Sequence, residues 1–89
     1  MVRARLLISG MVQGVGYRWS CRRAAQGIGV TGWVRNLPDG RVEAVAQGSR
    51  EQVETLILWC RRGPEEAQVS DIAVSYEETA EDFSGFGIR

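Results

Sequence analysis

The chain has 89 residues, eleven arginines balanced by eleven acids, and neither lysine nor histidine, so its formal net charge is zero. Without histidine there is no Ser-His-Asp triad, Cys-His pair or His-ligated zinc, and without lysine no Schiff-base chemistry. A zero balance also argues against general nucleic-acid binding, which requires a basic excess.

The length predicts a single domain over residues 1–89, able to bury about 60–65% of its unfolded surface. Arg3–Gly10 alternates, with Ala4, Leu6 and Ile8 on one side, and predicts a half-buried strand. Met11–Gly16 carries two glycines and reads as a loop. Tyr17, Cys21, Ala24, Ala25 and Ile28 then fall at helical spacing, with Gly27 and Gly29 to end the helix. Val30–Leu37 and Arg41–Gln47 predict two strands joined through the turn Pro38-Asp39-Gly40. Ser49 is placed to cap a second helix, whose stripe is Val53, Leu56, Ile57 and Cys60 and whose stop is Gly63-Pro64. Val69–Tyr76 and Phe83–Ile88 complete the series as a fourth strand and a short final one.

This order is βαββαβ plus a terminal strand. Right-handed crossovers place both helices on one face of an antiparallel four-stranded sheet, an α+β sandwich of the ferredoxin-like class. That fold hosts many unrelated functions, so the chemistry has to be sought in particular residues.

Gly27-Ile28-Gly29-Val30-Thr31-Gly32 spells G-x-G-x-x-G, but it closes a helix and opens a strand. A dinucleotide fingerprint requires the reverse, so no cofactor is expected here. Gly10-Met11-Val12-Gln13-Gly14-Val15-Gly16-Tyr17-Arg18 has the opposite context, following a strand and opening a helix. Backbone amides and a helix N-terminus converge on an anion in such a place, and Arg18 would add a planar fork for phosphate oxygens. On these residues alone, a flexible turn beside an exposed arginine is an equal reading. Asn36, near the end of the second predicted strand, is either a turn former or a group that orients water. Asp39 is the one acid close to these segments. A general base is therefore hard to name, and the chemistry must suit a good leaving group and a neutral, positioned water.

Three runs carry a resemblance that spans essentially the whole chain. Gly10-x-Val12-Gln13-Gly14-Val15-x-Tyr17-Arg18 resembles the phosphate-cradle signature of the acylphosphatase family. Gly32-Trp33-Val34-x-Asn36-x-x-x-Gly40-x-Val42, closed by Gly48, resembles its second signature. The ending Phe83-Ser84-Gly85-Phe86-Gly87-Ile88-Arg89 is similar to the family's last strand. The resemblance implies hydrolysis of a carboxyl–phosphate anhydride without metal or cofactor. It implies a phosphate cradle of the backbone amides of Gln13, Gly14, Val15, Gly16, Tyr17 and Arg18, with the Arg18 side chain gripping phosphate and Asn36 orienting the attacking water.

The expected partners are a small acyl phosphate and its product, inorganic phosphate, with no nucleic acid and no membrane, and a monomeric cytoplasmic protein. Two cysteines are too few for a disulfide scaffold, and Cys21 and Cys60 are expected as free buried thiols at one edge of the two helices. Trp19, Trp33 and Trp59 read as core or site-edge packing, and Arg35 as an exposed strand residue. Two rivals remain: a non-catalytic anion-binding module of the same fold, and an RNA-recognition sheet. The latter would need aromatics on the central strands, and Arg3–Gly10 and Arg41–Gln47 hold none.

Overall fold

The computed structural model describes residues 1–78 and 82–89. Its elements follow the expected order: β1 (Val2–Met11), α1 (Tyr17–Ile28), β2 (Thr31–Asn36), β3 (Val42–Gly48), α2 (Arg50–Arg62), β4 (Gln68–Glu78) and β5 (Phe86–Ile88). The strands form one sheet in the order β4-β1-β3-β2-β5. The first four run antiparallel to their neighbours. β5 adds a fifth strand that pairs with β2 in parallel, with Val34 opposite Ile88, so the sheet is mixed.

Period-two alternation sorts the strands into two faces. Ala4, Leu6 and Ile8 of β1 register with Ala46, Ala44 and Val42 of β3, and Val34 of β2 stands opposite Ala44. All of these are fully buried and meet Tyr17, Cys21 and Ala25 of α1 and Val53, Leu56, Ile57 and Cys60 of α2. Burying each aliphatic side chain of that stripe contributes about 1.5–3 kcal/mol before entropy is counted.

The other face has no helix, yet Glu43, Val45 and Gln47 of β3 are buried there too. Long side chains cover them. Arg35 donates to Glu43 at 2.7 Å, and Arg3 donates twice to Gln47 Oε1 at 3.0 and 2.9 Å. Trp33 lies under the guanidinium groups of Arg35 and Arg89. The aliphatic stems of these arginines supply apolar cover while their heads find polar partners. Arg35 is thus exposed as expected, but its guanidinium is held by Glu43 on the face away from the helices.

The helix ends differ from expectation in one respect. Gly27 lies inside α1, and Gly29 alone terminates it in the left-handed region (φ 97°), donating to Ala25 O at 2.9 Å. Val30 N–H also bonds Ala25 O, so Val30 belongs to this cap and β2 starts one residue later. Gly32 permits the sheet to close: a Cβ there would stand 1.8 Å from Val45 O.

Cys21 and Cys60 face each other across the α1–α2 seam, both free and fully buried. The Cys21 thiol hydrogen-bonds Cys60, and that bond together with burial pushes its pKa well above the usual thiol range. Only thiolate reacts. Because both cysteines are fully buried, native protein at pH 8 is expected to resist a small alkylating reagent at both, and to take up two equivalents once denatured. Thiol counting by mass spectrometry checks this; rapid native labelling would show that the seam opens.

Candidate active site

β1 leads into the loop 12–16, which turns sharply and delivers the chain into α1. Gly14 and Gly16 both adopt left-handed torsions, φ 76° and 75°. Space is not the constraint, since nothing lies within 4 Å of a Cβ built on either; the torsion itself selects glycine.

The two helices begin in opposite ways. α2 is sealed by a capping box, with Ser49 accepting from Gln52 N–H and the Gln52 side chain accepting from Ser49 N–H, and Glu51 follows in its first turn. α1 begins at Gly16, which has no side chain to offer, and its first turn holds no acid. Among the described residues no side chain caps its leading amides, which carry the positive end of the helix dipole, about half a unit charge. Arg18 sits in that turn, half-buried, and among the described residues it has no ion pair.

Strand parity puts Asn36 on the same face as Val34, the helix side, at the end of β2. Its Oδ1 is the one buried side-chain oxygen or nitrogen among the described residues with no hydrogen-bond partner. Leaving a buried acceptor unpaired costs about 1–3 kcal/mol, which singles this oxygen out.

Arg18 and Asn36 meet at one pocket of about 210 Å³. Gly14, Gly16, Tyr17 and Arg18 line it together with Asn36, and Val12, Trp19 and Ile88 complete it. Trp19 is 59% exposed there, the site-edge position that was one of its two readings. Two members of the expected cradle, Gln13 and Val15, do not line the pocket. Val15 packs on the core, and the Gln13 side chain turns toward the β2–β3 turn. Val12 and Ile88 were not foreseen as lining residues. Nothing local identifies Ile88, which arrives through the parallel pairing of β5 with β2.

The Tyr17 side chain points into the core, where its hydroxyl donates to Cys60 O at 2.7 Å and its ring tilts against Trp59. Burial raises the Tyr17 phenol far above its ordinary range, so it stays a neutral donor that ties the start of α1 to the end of α2. Asp39 is not a base for this site. Its carboxylate accepts from Arg41 N–H and Nε, and the backbone bond chiefly lowers its pKa. Among the described residues, no three His, Cys, Asp or Glu side chains gather as metal ligands, and no helix is long and apolar enough to cross a membrane.

The Acylphosphatase family model matches residues 4–88. The chain belongs to the acylphosphatase family. It is 52% identical over 89 residues to an acylphosphatase of a Nostoc species, covering all of this chain and 87% of that one. An acylphosphatase of Thermococcus kodakarensis is 55% identical over 87 residues, covering 98% of this chain and 94% of its own. The crystal structure of acylphosphatase from Bacillus subtilis superposes with a TM-score of 0.97 at 32% identity, covering 100% of this chain and 99% of that one. The ferredoxin-like fold is thereby that of solved acylphosphatases, and the chain is an acylphosphatase hydrolase acting on acyl phosphates.

Proposed function

We propose that Arg18 and the backbone amides of residues 13–18 hold the phosphoryl group while Asn36 Oδ1 orients the attacking water. The observation that carries this reading is the unpartnered, buried Oδ1 of Asn36, a residue that lines the pocket together with the uncapped start of α1. An amide oxygen can only accept, so it is suited to a water's O–H. The facing amides and guanidinium can only donate, so they suit phosphate oxygens.

In this scheme water oxygen attacks phosphorus in line, the bond from phosphorus to the acyl oxygen breaks, and the carboxylate departs with that electron pair. The water proton passes to a phosphoryl oxygen. Charge spread over the equatorial oxygens of a loose transition state is met by Arg18 and the amides. Because a carboxylate leaves readily, no strong base is needed, which agrees with Asp39 being engaged by Arg41.

We further read residues 1–89 as one working unit, monomeric and cytoplasmic, that takes a small acyl phosphate and no nucleic acid. The bare sheet face supports that last point: Arg35 and Arg5 are paired with Glu43, and Arg3 with Glu77.

The test is turnover of an aromatic acyl phosphate in excess chelator. Full activity is expected, with ordinary phosphate monoesters nearly untouched. Activity lost to chelator and restored by Mg²⁺ would overturn the mechanism.

A further inference from the structure

The two halves of the pocket come from distant parts of the chain, the loop 12–16 with the start of α1 and the end of β2. Hydrogen bonds from one side chain join them. Gln13 Nε2 donates to Leu37 O at 2.8 Å and to Arg41 O at 2.9 Å, so both of its hydrogens are used. Leu37 and Arg41 are the residues that close the β2–β3 turn, through Leu37 N–H to Arg41 O at 2.8 Å. Leu37 directly follows Asn36, and Gln13 directly precedes Gly14. Among the described residues no other hydrogen bond or ion pair links residues 12–18 with 36–41.

We propose that the Gln13 side chain is a positioning residue that fixes the distance between the phosphate cradle and Asn36. This rests on the roles given above to Arg18 and Asn36. The physical need is plain. Each half is internally well held, Asn36 by its pairing with Val42 and the start of α1 by the Tyr17 bond to Cys60 O. What remains to be fixed is the spacing of the two halves, and the Gln13 bonds are the direct hydrogen-bonded link across it. A water aimed by Asn36 reaches a phosphorus held in the cradle only if that gap is constant. Misplacement by about 1 Å can cost about 10²-fold in rate, because in-line attack tolerates little error.

Glutamine suits the task because the two acceptors are main-chain carbonyls and need two donors from one planar group. A glutamate of the same shape offers no N–H once ionised, and methionine fills the space without donating. With both side-chain N–H groups of Gln13 used on the turn, none is left for phosphate. Its loss should therefore lower kcat and leave phosphate affinity almost intact.

The experiment is a double-mutant cycle of Gln13→Met with Asn36→Ala, measured on one aromatic acyl phosphate. Phosphate inhibition and thermal unfolding are followed in parallel. Gln13→Met alone should cut kcat by about 10- to 10²-fold, with the phosphate inhibition constant within about twofold of wild type. In the Asn36→Ala background it should cost less than about twofold, since there is no oriented water left to misplace. Additive losses in folded proteins, or a Gln13→Met enzyme with wild-type kcat, would overturn the inference while leaving Arg18 and Asn36 in place. Asn36→Ala with wild-type kcat would instead remove the reading on which the inference rests. Should Gln13→Met fail to fold, Gln13→Glu carries the same comparison.

Discussion

Arg18→Ala is expected to lower kcat by about 10³–10⁵, the range seen when an arginine that meets transition-state phosphoryl charge is lost. It should also weaken inhibition by inorganic phosphate, because the same fork would hold the ground-state dianion. Arg18 has no ion pair among the described residues, so its removal strands no buried carboxylate and the fold should survive. Arg18→Lys should rescue little: an ammonium supplies charge at a point, whereas two phosphoryl oxygens need two coplanar donors. Steady-state rates with phosphate as competitor, for both variants, check this. A lysine variant within tenfold of wild type would reduce the role of Arg18 to simple charge.

Asn36→Ala should separate catalysis from binding. The expected loss in kcat is about 10²–10³, the usual cost of removing one preorganised polar group, with phosphate inhibition near normal. Stability should move the other way. Among the described residues, Asn36 Oδ1 makes no hydrogen bond, so truncation forfeits none and relieves a buried acceptor. The variant should unfold at the wild-type temperature or slightly above it, a pattern that marks a group retained for function. An enzyme with undiminished kcat, or one whose melting temperature falls sharply, would show that Asn36 is a structural residue.

Much of this arrangement was readable in the sequence because it is local. The alternation of Ala4, Leu6 and Ile8 and the stripe Val53, Leu56, Ile57 and Cys60 repeat with the periods of strand and helix, and the cap at Ser49 is a short-range hydrogen bond. The glycine loop was only half legible. Gly14 and Gly16 announce unusual torsions, but the residues alone left a flexible turn and an anion cradle equally open. The cradle reading gained weight from a contrast between the two helices, one self-capped and one not. Ile88 at the pocket and the two bonds of Gln13 were invisible, since each depends on which distant segments the sheet brings together. The limits of β2 slipped by one residue at each end where hydrophobicity pointed one way and hydrogen bonds another, while β5 starts at Phe86, three residues later than expected. Val30 is apolar but serves the α1 cap, and Leu37 is apolar but closes the turn.

The uncapped start of α1 also sets a limit on how stable this protein can become. A side-chain cap such as Ser49 contributes about 1 kcal/mol, out of a total of about 5–15 kcal/mol for a whole protein. α1 forgoes that contribution, and on the proposed reading any residue that restored it from within the chain would occupy the ground of the phosphoryl group. The vacancy can be filled only by something that leaves again. On the proposed role of the cradle, inorganic phosphate would play two parts with a single affinity: as product it would compete with substrate, and as ligand it would complete the helix and raise the melting temperature. Inhibition and thermal protection become two readings of one dissociation constant.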